Sequence, residues 1–108
     1  MRILFDHGTP EPLIPFLEGH NVTTAKEAGW DRLSNGHLLA AAEEAGFELL
    51  LTTDKRMRYQ QNFSERKIAL IVLGNSRWPI ARLHVDKIVA AVRACLPASY
   101  TEVEIPFR

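Results

Sequence analysis

Two aspartates carry the strongest chemical signal in this chain. Asp6 directly follows the apolar run Ile3-Leu4-Phe5, and Asp54 directly follows Leu50-Leu51-Thr52-Thr53. An acid placed just after a buried parallel strand lies on the carboxyl rim of the sheet, where open α/β domains hold their functional crevice. Neighbouring strands would bring both carboxylates to one rim, and hard oxygens converging there are the donors that Mg²⁺ or Mn²⁺ takes. Taken singly, each Asp is equally at home as a helix cap or a turn residue. The pair is what points to a site.

A basic stretch follows the second acid. Lys55, Arg56, Arg58, Arg66 and Lys67 oppose only Glu65, with Tyr59-Gln60-Gln61-Asn62 interleaved. Cations, an aromatic ring and amides close to Asp54 suit a nucleic-acid backbone with unpaired bases, and they equally suit a solvated basic helix face. Arg77-Trp78-Pro79 follows the turn Gly74-Asn75-Ser76 at the end of another apolar run, hence on the same rim. Trp78 has the ring to stack on a base or to pack at a helix start, and Trp30 has the same two uses. The turn itself lacks the glycine spacing and the lysine of a phosphate loop.

The elements that must position these residues alternate. Arg2-Ile3-Leu4-Phe5 reads as a strand, and His7-Gly8-Thr9-Pro10 as a turn opening a short helix from about Glu11 to Glu18, with Pro15 inside it and Gly19 after it. His20 to Thr24 is a short polar strand near a sheet edge. Ser34 and Asn35 cap a helix whose apolar positions are Leu38, Leu39, Ala42 and Ala45, and Gly46 stops it. Residues 47–53 and 67–73 are near-continuous apolar runs, the pattern of central parallel strands covered on both faces. Pro79 opens a long helix with Val85, Ile88, Val89, Val92, Cys95 and Leu96 on one stripe, and residues 101–105 alternate as a final edge strand before Pro106. The order β-α-β-α-β-α-β-α-β over 108 residues predicts one small three-layer α/β domain, residues 1–108, with a mainly parallel sheet of about five strands.

At this point the sequence resembles the PIN-like domains, and within them the compact toxin-like proteins of bacteria and archaea. Those typically open Leu-Leu-Asp-Glu-Asn-x-Pro and later show Thr-x-Asp after a strand, as Leu4-Phe5-Asp6-His7-Gly8-Thr9-Pro10 and Thr52-Thr53-Asp54 do here, and the likeness spans roughly residues 1 to 75. The resemblance implies a metal-dependent ribonuclease of toxin type that hydrolyses RNA phosphodiesters at an acidic cluster holding Mg²⁺ or Mn²⁺. It implies RNA as substrate, a small antitoxin protein as partner, and a homodimer as a further association.

Carried over residue by residue, Asp6 and Asp54 match. The acid expected at the start of the helix before Thr-x-Asp falls on Asn35, and the one expected two residues past Asp54 falls on Arg56. The Glu that usually follows the first Asp is His7, and His37 lies two residues past Asn35. Imidazoles replacing carboxylates would shift metal preference toward Mn²⁺ or Zn²⁺, although a hydrogen-bonding loop role serves either His as well. Glu27 and Asp31 precede the helix as further candidates, or as solvated loop charges. The expected site is therefore Asp6, Asp54 and Asn35 as catalytic groups, Asp6, Asp54 and His7 on the metal, and Lys55, Arg56, Arg58, Tyr59, Arg77 and Trp78 on RNA. The departures at Asn35 and Arg56 also predict an alternative, a catalytically weak or inactive module that binds RNA or a protein partner.

Composition bounds these readings. Thirteen basic residues balance thirteen acidic ones, which excludes a grossly basic coat protein. The balance hides a split: residues 1–54 carry three basic and nine acidic side chains, net −6, and residues 55–108 the opposite +6. No apolar run approaches the roughly 18 residues of a membrane span, and no basic segment with an apolar core opens the chain, so a cytosolic protein with no membrane partner is expected. A lone Cys95 has no partner for a disulfide or a metal motif, and is expected to be a small buried residue on a helix.

Overall fold

The apolar runs form a five-stranded, all-parallel sheet. In the computed structural model, which describes residues 1–60 and 66–106 without the side chains of Tyr59 and Gln60, the strands are β1 (Arg2–Phe5), β2 (Asn21–Thr24), β3 (Leu49–Thr52), β4 (Ala69–Leu73) and β5 (Tyr100–Val103). Their order across the sheet is β2-β1-β3-β4-β5. Every residue of β3 and β4 is buried. That burial explains why these two strands carry no polar alternation: helices cover both faces. The strand pattern of period two then sorts the core. Ile3, Phe5, Leu49, Leu51, Ala69, Ile71 and Leu73 face one way, and Leu4, Leu50, Leu70 and Val72 face the other.

Helical segments close each face. α1 (Asn35–Glu44) buries Leu38, Leu39 and Ala42 on the Leu4/Leu50 side, joined there by Met57 of the 3₁₀ segment Lys55–Gln60. α2 (Trp78–Ala81) and α3 (Val85–Ala94) cover the Ile3/Phe5 side with Ala81, Ile88 and Val92, together with Leu13 and Leu17. The domain is thus three-layered, with β2 and β5 at the edges as the sequence predicts. The β1–β2 and β4–β5 connections cross the same face while moving in opposite directions, so they have opposite hands. One of them takes the rare hand for a parallel crossover. The β2–β3 and β3–β4 connections run the same way, so α1 and the segment after β3 share the other face, on the side to which Asp6 and Thr52 belong by strand parity.

Three details differ from expectation. The segment after β1 is a 3₁₀ helix, Glu11–Phe16, because Pro12 and Pro15 cannot donate, and the donors between and after them bond three residues back: Leu13 N to Pro10 O at 3.1 Å and Leu17 N to Ile14 O at 2.9 Å. The long helix from Pro79 is interrupted by a 3₁₀ turn, Arg82–His84, where His84 leaves the helical region at φ −122°, ψ 21°. α3 ends at Ala94, with Cys95 already extended and Pro97 barring continuation, so Leu96 is 69% exposed instead of completing the apolar stripe. Cys95 is half-buried, and its thiol, pushed up by burial, donates to Val92 O at 3.3 Å. By contrast α1 ends as predicted: Gly46 at φ +87° lets Gly46 N bond Glu43 O and Phe47 N bond Ala42 O, the two bonds of a Schellman motif.

Ala98, in the turn between α3 and β5, takes φ +62°, the left-handed region that costs an L-residue about 1–2 kcal/mol. Its N–H bonds Lys67 O at 3.0 Å and so ties the turn to the start of β4. Ala98→Gly removes that strain against a smaller loss in unfolded-chain entropy, and is expected to raise stability by about 0.5–1 kcal/mol in urea unfolding.

Candidate functional site

The site forms where β1 and β3 end. Phe5 is paired with Leu51, so the next pair in register is Asp6 with Thr52. Asp6 N extends the ladder to Leu51 O at 2.9 Å, and Thr9 Oγ1 reaches the same carbonyl at 2.9 Å, fixing the loop after β1. Gly8, at φ +90°, is where that loop turns. A Cβ there would meet Thr53 Oγ1 at 3.3 Å, so the loop lies directly against the end of β3. The connection after β1 runs to β2 on one side and the connection after β3 runs to β4 on the other, which makes the β1/β3 junction the switch point of the strand order, where α/β sheets bind ligands.

A buried hydroxyl links the two acids. Thr52 Oγ1 donates to Asp6 Oδ2 at 2.7 Å and accepts from Asp54 N at 3.1 Å. Thr52 is fully buried, so this bridge is not traded against water. Asp6 Oδ1 accepts from His7 N at 2.7 Å. Sequence reasoning named Thr52 only as the Thr of Thr-x-Asp and gave it no role, because a β-branched residue in a strand needs no further explanation; its place opposite Asp6 gives its hydroxyl a task.

Asp54 is held differently. Its Oδ1 accepts from Arg56 N at 2.9 Å and Arg56 Nε at 3.1 Å, and its Oδ2 accepts from Arg56 Nη2 and from Asn35 Nδ2, each at 3.1 Å. The guanidinium therefore grips the carboxylate with a two-pronged fork, and the α1 terminus supplies a neutral donor beside it. The Arg56 fork is the largest cause, with the Asn35 amide and the Arg56 N–H adding to it, in holding the Asp54 carboxyl down to about 2 against partial burial that works the other way. Asp6, Asp54, Asn35 and Arg56 are thus brought together.

The remaining expected residues divide. His7 is exposed and donates its backbone N–H to Asp6; His37 Nδ1 pairs with Ser34 Oγ at 3.1 Å, and Ser34 makes no side-chain cap on α1. Glu27 and Thr24 bond each other's backbone N–H in a reciprocal cap, at 3.0 and 3.1 Å. Asp31 is exposed in its loop. Among the described residues no three His, Cys, Asp or Glu side chains converge as a metal-ligand group. The pair comes with an amide and a hydroxyl instead of a third acid.

The basic stretch is also split. Lys55 and Arg56 stay on the carboxyl rim, and Arg58 reaches across to Glu102 of β5 at 3.1 Å, where the Tyr100 hydroxyl donates to the same oxygen at 2.5 Å. Arg66 and Lys67 precede β4 and so lie at the opposite end of the sheet, where Arg66 pairs with Glu43 at 3.8 Å and Lys67 N donates to it at 2.6 Å. Their expected closeness to Asp54 is corrected: a crossover of this length returns the chain to the amino end. The Tyr59 side chain, the Gln60 side chain, Gln61 and Asn62 lie outside the described residues. Trp78 is half-buried, packs on the core and meets Phe16 at 6.0 Å between ring centroids, while Arg77 is exposed. Trp30 packs edge-on to Phe47 at 5.9 Å. The Gly74-Asn75-Ser76 turn is filled by the chain itself: a Cβ on Gly74 would meet Ile105 N at 2.9 Å, and Asn75 donates to Pro106 O at 3.2 Å.

Two outcomes follow. Thr52→Val keeps shape but strips Asp6 Oδ2 of its donor and Asp54 N of its acceptor, and is expected to cost about 2 kcal/mol in urea unfolding, with Thr52→Ser recovering most of it. Because its folded value lies below the ordinary 3.8, Asp54 contributes stability in full above that value and loses it as pH falls through about 2. Arg56→Ala should move the Asp54 titration, followed by carboxyl-carbon NMR, upward toward 3.8; an unmoved titration would show that the fork does not form in solution.

No family model, no curated protein and no solved structure matches this chain, so what the site can do rests on its own geometry.

Proposed function

We propose that this chain is a PIN-like, metal-dependent endoribonuclease of toxin type, acting on RNA phosphodiesters at the rim formed by Asp6 and Asp54. The observation that carries the reading is that Thr52 Oγ1 ties the Asp6 carboxylate to the backbone N–H of Asp54, which sets both acids at the switch point of a parallel sheet. The donor set suits a hard cation: Mg²⁺ is ordinarily held by one or two carboxylates, with water and substrate phosphate filling the other positions. Asp6 and Asp54 would hold it, and Asn35 would keep its amide on Asp54 Oδ2 as a neutral positioning donor. Such an ion supplies polarisation of the phosphoryl group and a water acidic enough to attack it.

The chain's own part is placement. Thr52 and His7 N fix the Asp6 oxygens, and Asn35 and Arg56 N fix those of Asp54. Lys55, Arg56 and Arg77, exposed on or beside the same rim, supply positive charge for an RNA backbone. The same reading puts the protein in the cytoplasm, with a small antitoxin and a second copy of the chain as its protein partners.

One observation favours a second reading. With the Arg56 fork on Asp54, the pair carries less net negative charge than two free carboxylates. That favours a catalytically weak or inactive module that binds RNA or a regulatory protein. Incubation of the protein with labelled single-stranded RNA and Mg²⁺ or Mn²⁺ separates the two. The enzyme is expected to give cleavage that EDTA abolishes and that Asp6→Asn lowers by more than about 100-fold. RNA binding indifferent to EDTA, with no cleavage at any metal concentration, would give the second reading instead.

A further inference from the structure

The two carboxylates differ in what would have to move to free them. Asp6 is held by a buried hydroxyl and a backbone N–H. Asp54 is held in two ways at once. The Arg56 N–H and the Asn35 amide belong to the folded backbone and to the first turn of α1, whereas the Arg56 guanidinium stands at the end of a side chain that is 82% exposed, against 26% for Asp54. Arg56 also borders an open pocket of about 340 Å³ with Ser34, Asn35 and Gly36. The guanidinium can thus leave into open space while the carboxylate keeps two of its four hydrogen bonds and its orientation.

A phosphodiester is the natural competitor for that fork, since it offers two oxygens at the spacing of a carboxylate. Asp54 is the natural ligand for a cation once the fork is gone. Arg56 cannot serve both anions, and Asp54 cannot hold Arg56 and a divalent ion together without bringing two like charges into contact. We infer that Arg56 is an internal counter-ion which closes the acidic pair in the absence of RNA, and that an RNA phosphate, by drawing the guanidinium away, opens Asp54 to a divalent cation.

This regulation rests on the metal-dependent reading of the site. It makes RNA and metal mutually reinforcing ligands: by linkage each raises the affinity for the other by the same factor. It also gives the basic residue at this position a task, so that its presence where the resemblance leads one to expect an acid is a control on metal loading.

The experiment is calorimetric titration of Mn²⁺ into the full chain, alone and saturated with a single-stranded 2′-O-methyl oligoribonucleotide that cannot be cleaved, at fixed ionic strength. Wild-type protein, Arg56→Gln and Asp54→Asn are compared, with circular dichroism confirming that each is folded. Wild-type protein is expected to bind Mn²⁺ about tenfold tighter with the oligonucleotide than without it. Arg56→Gln should bind Mn²⁺ about tenfold tighter than wild type with no oligonucleotide, and the oligonucleotide should add less than about twofold. Asp54→Asn should lose the site in both conditions and so subtract any Mn²⁺ held by the oligonucleotide itself.

Equal Mn²⁺ affinity in wild type and Arg56→Gln, with the site still lost in Asp54→Asn, overturns the counter-ion role and leaves the metal reading standing. An oligonucleotide that leaves wild-type Mn²⁺ affinity unchanged overturns it too. Absence of Mn²⁺ binding in wild type and Arg56→Gln alike, with or without oligonucleotide, overturns both.

Discussion

Parallel pairing of β1 with β3 is the contact on which the rest of this molecule depends. β2 extends the sheet from one side of β1, and β3, β4 and β5 extend it from the other, so the direction of winding reverses at this one junction. Its register, Phe5 against Leu51, also decides the chemistry. A slip of one residue would turn Leu50 and Leu51 to each other's faces and exchange two sets of core contacts. The same slip would move Thr52 away from Asp6. Core packing and site geometry are therefore fixed by a single alignment, and the packing, which involves far more surface, enforces it.

The acidic and basic halves of the sequence meet between Asp54 and Lys55, and the fold does not keep them apart as two surfaces. Arg58 crosses to Glu102 on β5, and Arg66 turns to Glu43 at the end of α1. Of the basic stretch that directly follows Asp54, Lys55 and Arg56 stay on its rim, and Arg56 folds back on Asp54 itself. The ion pairs Arg56–Asp54 and Arg66–Glu43 thus join the two halves, while Arg58–Glu102 lies within the basic one. On the proposed reading, recognition of an RNA backbone by this rim comes from a few directed contacts.

Much of the fold was legible in the sequence for identifiable reasons. The unbroken apolar runs at Leu49–Thr52 and Ala69–Leu73 mean strands buried on both faces, and Gly46 after an apolar helical stripe means a left-handed cap; both inferences depend on local sterics and burial alone. Asp6 and Asp54 were legible because each directly follows such a run. What the sequence did not disclose depends on distance in space. Arg66 and Lys67 look like continuations of the Lys55–Arg58 group, yet the crossover carries them to the other end of the sheet. The role of Thr52 was not legible from Thr-x-Asp, because the acid to which its hydroxyl donates is 46 residues away. The break at His84 follows from no residue of low helix propensity, and nothing in the packing explains it.

The two acids also show why the number of charges in a cluster is a poor measure of what it can do. Every oxygen of both carboxylates accepts a hydrogen bond, two in all at Asp6 and four at Asp54. The donors differ in kind, however. A buried hydroxyl and a backbone N–H can be given up only with rearrangement of the sheet end, so Asp6 keeps a fixed direction whatever binds nearby. An exposed guanidinium exchanges its partner for water at little cost, because the ion pair it forms is largely screened and its side chain regains rotational freedom when released. Availability at this rim is therefore set by donor mobility. One carboxylate is permanently aimed and one is conditionally exposed, an asymmetry that arises from the arginine two residues past the strand-end aspartate.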